Sequence, residues 1–140
     1  MDFSYTDDLE GISVLLVEDE ALLAIDVTAI IEMAGGRVVG PAYSLRQGFS
    51  WIDRAKFDCA MLDINLHDEL VFELADALIE RGIPIIFLSS HSLNIAPPHL
   101  RERHLVHKPF STHSLIKAIQ AEAAKHTIAA PQPPTKPAAA

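Results

Sequence analysis

One cysteine, Cys59, occurs in 140 residues, so no disulfide can close within the chain. A reducing cytoplasm is the expected setting. No apolar run approaches the roughly 18–20 residues that a membrane-spanning helix needs, so membrane insertion is not expected. The amino terminus, MDFSYTDDLEG, is acidic and polar, the reverse of a secretory signal. Cations are also few. Eleven Lys and Arg stand against 19 Asp and Glu, for a net charge of −8, which argues against direct nucleic-acid binding, since neutralising phosphates takes clustered basic residues. There is no internal repeat. What remains is the profile of a soluble globular protein, 49% hydrophobic and 21% charged, of a length that suits one domain. Residues 1–10 read as a flexible lead-in and 11–126 as the domain. From 127 to 140 the Pro/Ala-rich stretch ending PQPPTKPAAA reads as a disordered tail.

Within 11–126 the texture alternates between strand and helix. ISVLLV (12–17) is a continuous apolar run, as expected for a parallel strand buried on both faces. A helix over 20–34 follows, with Leu23, Val27, Ile30, Ile31 and Ala34 on one stripe and Gly35-Gly36 as its stop. RVVG (37–40) reads as the second strand, and Ser44 as the cap of a helix over 45–54. FDCAMLD (57–63) is the third strand and precedes a helix over 69–81, with Val71, Leu74, Leu78 and Ile79 inward. IPIIFLS (83–89) and HLVH (104–107) are the fourth and fifth strands, and Ser111 caps a last helix over 111–125. Pro97-Pro98 cannot lie inside a helix, so the fourth helix should be short and start near Pro98. Five βα units in this order predict a doubly wound α/β fold with a five-stranded parallel sheet. Ligands in such sheets bind outside the carboxyl ends of the strands.

Four polar phrases fall at those ends: Glu18-Asp19, Asp63, Ser89-Ser90 and Lys108-Pro109. Taken singly, each has an ordinary structural reading. Acids after a strand complement a helix N-terminus, an aspartate can cap a turn, and a strand-end serine is common. Together they place three carboxylates, a hydroxyl and an ammonium at one sheet edge. Two carboxylates about 4 Å apart repel by roughly 4 kcal/mol at an effective dielectric near 20, so three in one crevice call for a cation or a shifted pKa. All-oxygen ligands suit Mg²⁺ or Mn²⁺; Zn²⁺ would want His or Cys, which the neighbouring positions do not supply. Beside such an ion Asp63 can act as a nucleophile toward phosphorus, with Ser89 donating to one phosphoryl oxygen and Lys108 neutralising another. The histidines offer little more. His104 and His107, three apart on a strand, point to opposite faces. His67, His99, His113 and His126 read as surface residues, and Cys59 as core.

Across nearly all of 11–126 this pattern resembles the receiver domain of two-component response regulators, a flavodoxin-like fold with strand order 2-1-3-4-5. The phrases VLLVEDEALLA, VVGPAYSL and LVHKPF are similar to those of alphaproteobacterial single-domain receivers. The resemblance implies Mg²⁺ held by Glu18, Asp19, Asp63 and the backbone carbonyl of Asn65. It makes Asp63 the phosphoacceptor, Ser89 the hydroxyl that contacts the phosphoryl group and Lys108 the conserved lysine, followed by a proline whose bond is often cis. It implies a histidine kinase or histidine phosphotransfer protein as donor, an effector protein of unknown identity, a possible homodimer, and a stand-alone receiver without output domain. Such a receiver modifies only itself and is not an enzyme in the ordinary sense. Two positions depart from the family pattern. Leu105 stands where an aromatic usually switches rotamer, and SSHSLNIAPP, with Ser90 and His91, follows the fourth strand in unusual form. The switch is therefore expected to involve Ser90, His91, Leu105 and movement of 90–104. A phosphate sink without its own effector, a metal-independent interaction module and a metal-dependent phosphohydrolase stand as alternatives. The last would want a second acid where Asn65 is found.

Overall fold

The central apolar runs are buried on both sides because helices cover both faces of the five-stranded sheet. The computed structural model describes residues 7–129. The strands are β1 (Ser13–Val17), β2 (Arg37–Ala42), β3 (Cys59–Asp63), β4 (Asn65–Leu66), β5 (Glu69–Leu70), β6 (Ile85–Ser89) and β7 (His104–His107). The helices are α1 (Ala21–Met33), α2 (Leu45–Ile52), α3 (Phe72–Glu80) and α4 (Thr112–Ala129). Five strands pair in parallel in the order β2-β1-β3-β6-β7. With the two-residue strands β4 and β5 set aside, this is the expected 2-1-3-4-5 arrangement.

Side-chain alternation along each strand divides the core in two. Leu15, Val17, Ala60, Leu62, Ile85 and Phe87 pack toward α2 and α3. Val14, Leu16, Cys59, Met61, Ile86 and Leu88 pack toward α1 and α4. Phe72 of α3 meets Phe87 edge to face at 5.9 Å, a favoured aromatic geometry. The expected caps are present: the Ser44 hydroxyl accepts from the Gln47 N–H and that of Ser111 from the Ser114 N–H. The Gly35 and Gly36 amides donate to the carbonyls of Glu32 and Ile31, which closes α1 at the glycine pair. His104 and His107 do point apart, and the His104 Nδ1 lies 2.9 Å from the buried Glu122 carboxylate on α4.

Several boundaries differ from the sequence expectation, each for a local reason. Residues 7–10 form a turn that drives Leu9 fully into the core, with its N–H on the Ala34 carbonyl. The packed unit thus begins before residue 11. β2 continues past Gly40 to Ala42, because a register shift opposite Leu15–Val17 lets pairing resume. Gly40 carries the kink at φ +97, where an added Cβ would lie 2.7 Å from the Ala42 nitrogen. No α-helix lies between β6 and β7. Two single 3₁₀ turns, Leu93–Ile95 and Pro98–Leu100, take its place. Pro97 is held extended at ψ 148 and cannot pass a helix through to Pro98, yet Leu93, Ala96 and Leu100 still reach the core. α3 starts at Phe72 rather than 69, because β4 and β5 form a small antiparallel hairpin. Finally, α4 runs to Ala129, three residues beyond the expected domain end at 126. The rest of the tail, 130–140, and residues 1–6 lie outside the described residues.

Candidate functional site at the carboxyl edge of the sheet

β1, β3, β6 and β7 all end on one edge, and parallel pairing fixes how their terminal side chains meet. The chain leaves β1 at Glu18, whose side chain is completely buried. Its Oε2 accepts from the Glu20 N–H at 3.1 Å, while Oε1 is buried without a hydrogen-bond partner. Asp63 ends β3 beside it and is 7% exposed. Lys108, one residue past β7, reaches back so that its Nζ lies 3.3 Å from both Glu18 Oε1 and Asp63 Oδ2. The Lys108–Pro109 bond is cis. One carboxylate oxygen from each of Glu18, Asp19 and Asp63 lies within 4.8 Å of the others.

Charge at this density alters acidity. Burial, together with hydrogen bonding to Asp63 and its charge, pushes Glu18 up to about 7 from its ordinary 4.5. Burial works against the Lys108 ammonium, but the carboxylates of Asp63 and Glu18 more than offset it, so its pKa is raised. An ammonium between two acids in a partly dry pocket holds them together. Lys108→Ala should therefore lower stability at pH 8 by on the order of 2 kcal/mol. The loss should shrink at pH 5, where Glu18 holds a proton. Urea unfolding at the two pH values checks this, and an equal loss at both would show that Lys108 acts there only by packing.

The reading of Asp19 as a plain helix cap does not hold, because Glu20 occupies the cap position of α1. The Asp19 Oδ2 instead accepts a 2.7 Å hydrogen bond from the His67 N–H, and His67 Nδ1 lies 3.4 Å from the same oxygen. His67 is exposed, as its sequence context suggested, but the turn between β4 and β5 folds it over the acids. It adopts φ +58, a conformation that histidine tolerates better than most residues. Its spacing from Asp63 carried no sign of this contact.

The other expected residues are placed less centrally. Ser89 ends β6 next to β3; it is buried, and its Oγ accepts from the His91 N–H at 2.9 Å. Asn65 opens β4 and is exposed, paired with Leu70. Ser90 is exposed and borders a groove of about 650 Å³ between α1 and the turn after β7, lined also by Leu23, Ile30, Met33, Lys108 and Phe110. His91 is exposed. Leu105 is half-buried, opposite Phe87 in the sheet and packed on the cluster that contains Leu93 and Leu100. Cys59 is fully buried in the core, and burial pushes its thiol pKa up, so it is inert.

The donor set fits a hard divalent cation. Three carboxylates converge, and the buried Glu18 Oε1 has no hydrogen-bond partner, only the Lys108 ammonium at 3.3 Å.

A doubly wound sheet with clustered acids and a lysine at its switch edge defines a class of phosphoacceptor signalling domains. The model of the response regulator receiver domain matches residues 14–120, and the chain belongs to that family. The family role is that of a signalling switch, and it implies interaction with histidine kinases or phosphotransfer proteins. Among solved structures the chain is similar to SdrG from Sphingomonas melonis Fr1, at 26% identity and TM-score 0.67, covering 86% of this chain and 98% of that one. It is also similar to the response regulator PhyR from Brucella abortus, at 25% identity and TM-score 0.72, covering 87% of this chain and 52% of that one. The chain thus spans about half the length of PhyR. A receiver protein from Sinorhizobium medicae WSM419, at 23% identity and TM-score 0.73 over 84% of this chain and 98% of that one, shares the fold. No curated protein sequence matches. Among the described residues no helix is long and apolar enough to cross a membrane.

Proposed function

We propose that the protein is a phosphorylation switch in which Asp63 accepts a phosphoryl group from a phosphohistidine on a kinase or phosphotransfer protein. The observation that carries this reading is the Lys108 ammonium held 3.3 Å from both Asp63 and Glu18 within an acid cluster built for a cation. Glu18, Asp19, Asp63 and the Asn65 carbonyl would hold Mg²⁺ or Mn²⁺, which supplies charge neutralisation for the phosphoryl oxygens when bound. An Asp63 carboxylate oxygen attacks phosphorus in line, the O–P bond forms, and the N–P bond to the donor imidazole breaks. The donor imidazole, protonated on its other nitrogen, keeps the electron pair of the N–P bond and leaves as a neutral ring. Lys108 balances one phosphoryl oxygen. The Ser89 hydroxyl, which already accepts from His91, keeps its hydrogen for another. The groove between α1 and Phe110 opens beside Lys108 and leaves room for the donor's surface.

The acyl phosphate then shifts the 90–104 segment, whose two 3₁₀ turns are joined to the site through Ser89 and His91. That segment with β7 and α4 is the surface for an effector or for a second copy of the chain. The half-buried Leu105, with no hydroxyl or ring to turn, favours a second reading in which the protein only drains a kinase of phosphate. Phosphoryl uptake from acetyl phosphate, followed by intact-protein mass, tests the main proposal. One group should be gained with Mg²⁺ and none in EDTA. Amide spectra of the phosphorylated protein should differ from those of the free form across 90–104. Uptake that ignores Mg²⁺ would sink the metal-assisted route, and unchanged amides would leave the sink reading.

A further inference from the structure

Charge is divided unevenly along the chain. Residues 1–80 hold 17 of the 19 acids and four of the 11 Lys and Arg, while residues 81–140 hold two acids and seven Lys and Arg. The sheet order turns this into a division in space. Residues 81–129 supply β6, β7, the two 3₁₀ turns and α4, which make up one end of the five-stranded sheet. Of the two acids there, Glu122 is buried and already paired with His104 and Lys125. The other, Glu102, sits between Arg101 and Arg103, which are exposed just ahead of β7 and have no carboxylate partner among the described residues. Arg103 also lines a cavity of about 360 Å³ with His99, His104 and Lys125 near the start of the strand. An acidic protein thus carries a basic end.

That end is also an open edge, since β7 pairs only with β6. The Lys108 N–H donates to the Ser89 carbonyl in the parallel register that sets Ser89 beside His107. Alternation along the strand then turns the amides and carbonyls of Leu105 and His107 away from β6, toward solvent. The opposite edge, β2, is blunted by Arg37, Pro41 and a register shift. β7 holds no proline, no register shift and no Asp, Glu, Lys or Arg. On these grounds, and resting on the effector reading above, we propose that β7 receives an acidic, extended segment of a partner protein as a sixth strand. The segment's backbone pairs with the outward groups of Leu105 and His107, each of which offers one donor and one acceptor. Its side chain opposite Leu105 is apolar, because Leu105 is half-buried on the cluster that contains Leu93 and Leu100. Its acids meet Arg101 and Arg103. A second copy fits less well: in a two-fold pairing of β7 with β7 the basic ends of both copies fall side by side.

The test titrates the whole protein with a synthetic peptide, Glu-Glu-Val-Thr-Val-Glu-Glu with blocked ends, up to millimolar concentration, and follows amide exchange by NMR. Bound peptide should slow exchange at Leu105 and His107 by roughly tenfold or more, while the Val106 amide, already held by β6, changes little. His107→Pro removes one outward N–H and leaves the β6 ladder whole, so it should abolish the slowing at Leu105. Arg103→Glu should weaken binding by about fivefold to tenfold. A peptide with proline in place of its threonine should not bind. No slowing at Leu105 and His107 in wild type would overturn the proposal. Equal binding by the proline peptide would reduce the contact to charge alone and overturn it, and equal binding by a peptide with Gln in place of Glu would remove the acidic preference and do the same. A dimer that protects Leu105 and His107 without peptide would assign the edge to a second copy and overturn it too. The switch reading fails separately, since it is read from phosphoryl uptake by intact-protein mass. Edge protection without uptake would sink that reading alone, and uptake without edge protection would sink only this one.

Discussion

Asp63→Asn should take up no phosphoryl group from acetyl phosphate under conditions where wild type gains one. The amide retains the shape of the side chain but lacks an anionic oxygen to attack phosphorus, so the loss should be complete rather than partial. Folding should not suffer. Asp63 is one of the groups that raise Glu18, and a neutral neighbour removes that repulsion while Lys108 keeps its second carboxylate at 3.3 Å. The variant should therefore unfold at the same urea concentration as wild type or at a higher one when Mg²⁺ is absent. Residual phosphoryl uptake would mean that a neighbouring oxygen, such as Asp19 or Ser89, is the real acceptor. A sharp loss of stability would mean that Asp63 holds the fold together and is not simply placed there for chemistry.

Glu18→Gln should stabilise the Mg²⁺-free protein at pH 8 and barely affect it near pH 4.5. The sign follows from the direction of the shift. Glu18 loses its proton near 4.5 when the chain is unfolded and near 7 when it is folded. Between those values the native state binds the proton and the unfolded state does not, so stability falls as pH rises through the window. Over the whole window the fall is on the order of 3 kcal/mol, and the neutral amide avoids it. Mg²⁺ should reverse the preference. The cation stabilises a site whose acids are ionised, by an amount that grows with its concentration relative to Kd, and Glu18→Gln has one carboxylate fewer to offer. Urea unfolding of both proteins at pH 5 and pH 8, with and without Mg²⁺, measures all four corners. If wild type lost no stability relative to Glu18→Gln between the two pH values, the account of a strained acid cluster would be wrong. Mg²⁺ that stabilised both proteins equally would remove Glu18 from the ligand set.

The division between sequence and fold runs along the distance over which each force acts. Strand and helix identities were legible wherever a local pattern set them. ISVLLV and IPIIFLS could only be strands buried on both faces, and Ser44, Ser111 and Gly35-Gly36 mark helix ends through hydrogen bonds to residues a few positions away. The acid cluster was legible for a similar reason, since parallel strands must all end on one edge and their terminal residues can be read in order. Where neighbouring signals competed, the local reading failed. Leu9 lies in a polar lead-in yet fills a gap against α1. The run after Asp63 had helical spacing from residue 69, yet the chain first turns back through β4 and β5. Pro97-Pro98 did mark a short helix starting at Pro98, though of the 3₁₀ type.

Tertiary structure alone decided three further matters. It set the Lys108 ammonium equidistant from Glu18 and Asp63, residues 90 and 45 positions away, and so tied the two strand ends together by charge. It buried Glu18 completely, which raises its pKa far more than composition could suggest, because desolvation depends on what surrounds a group rather than on what adjoins it in sequence. It also carried His67 across 48 residues to Asp19, whose carboxylate accepts its backbone N–H.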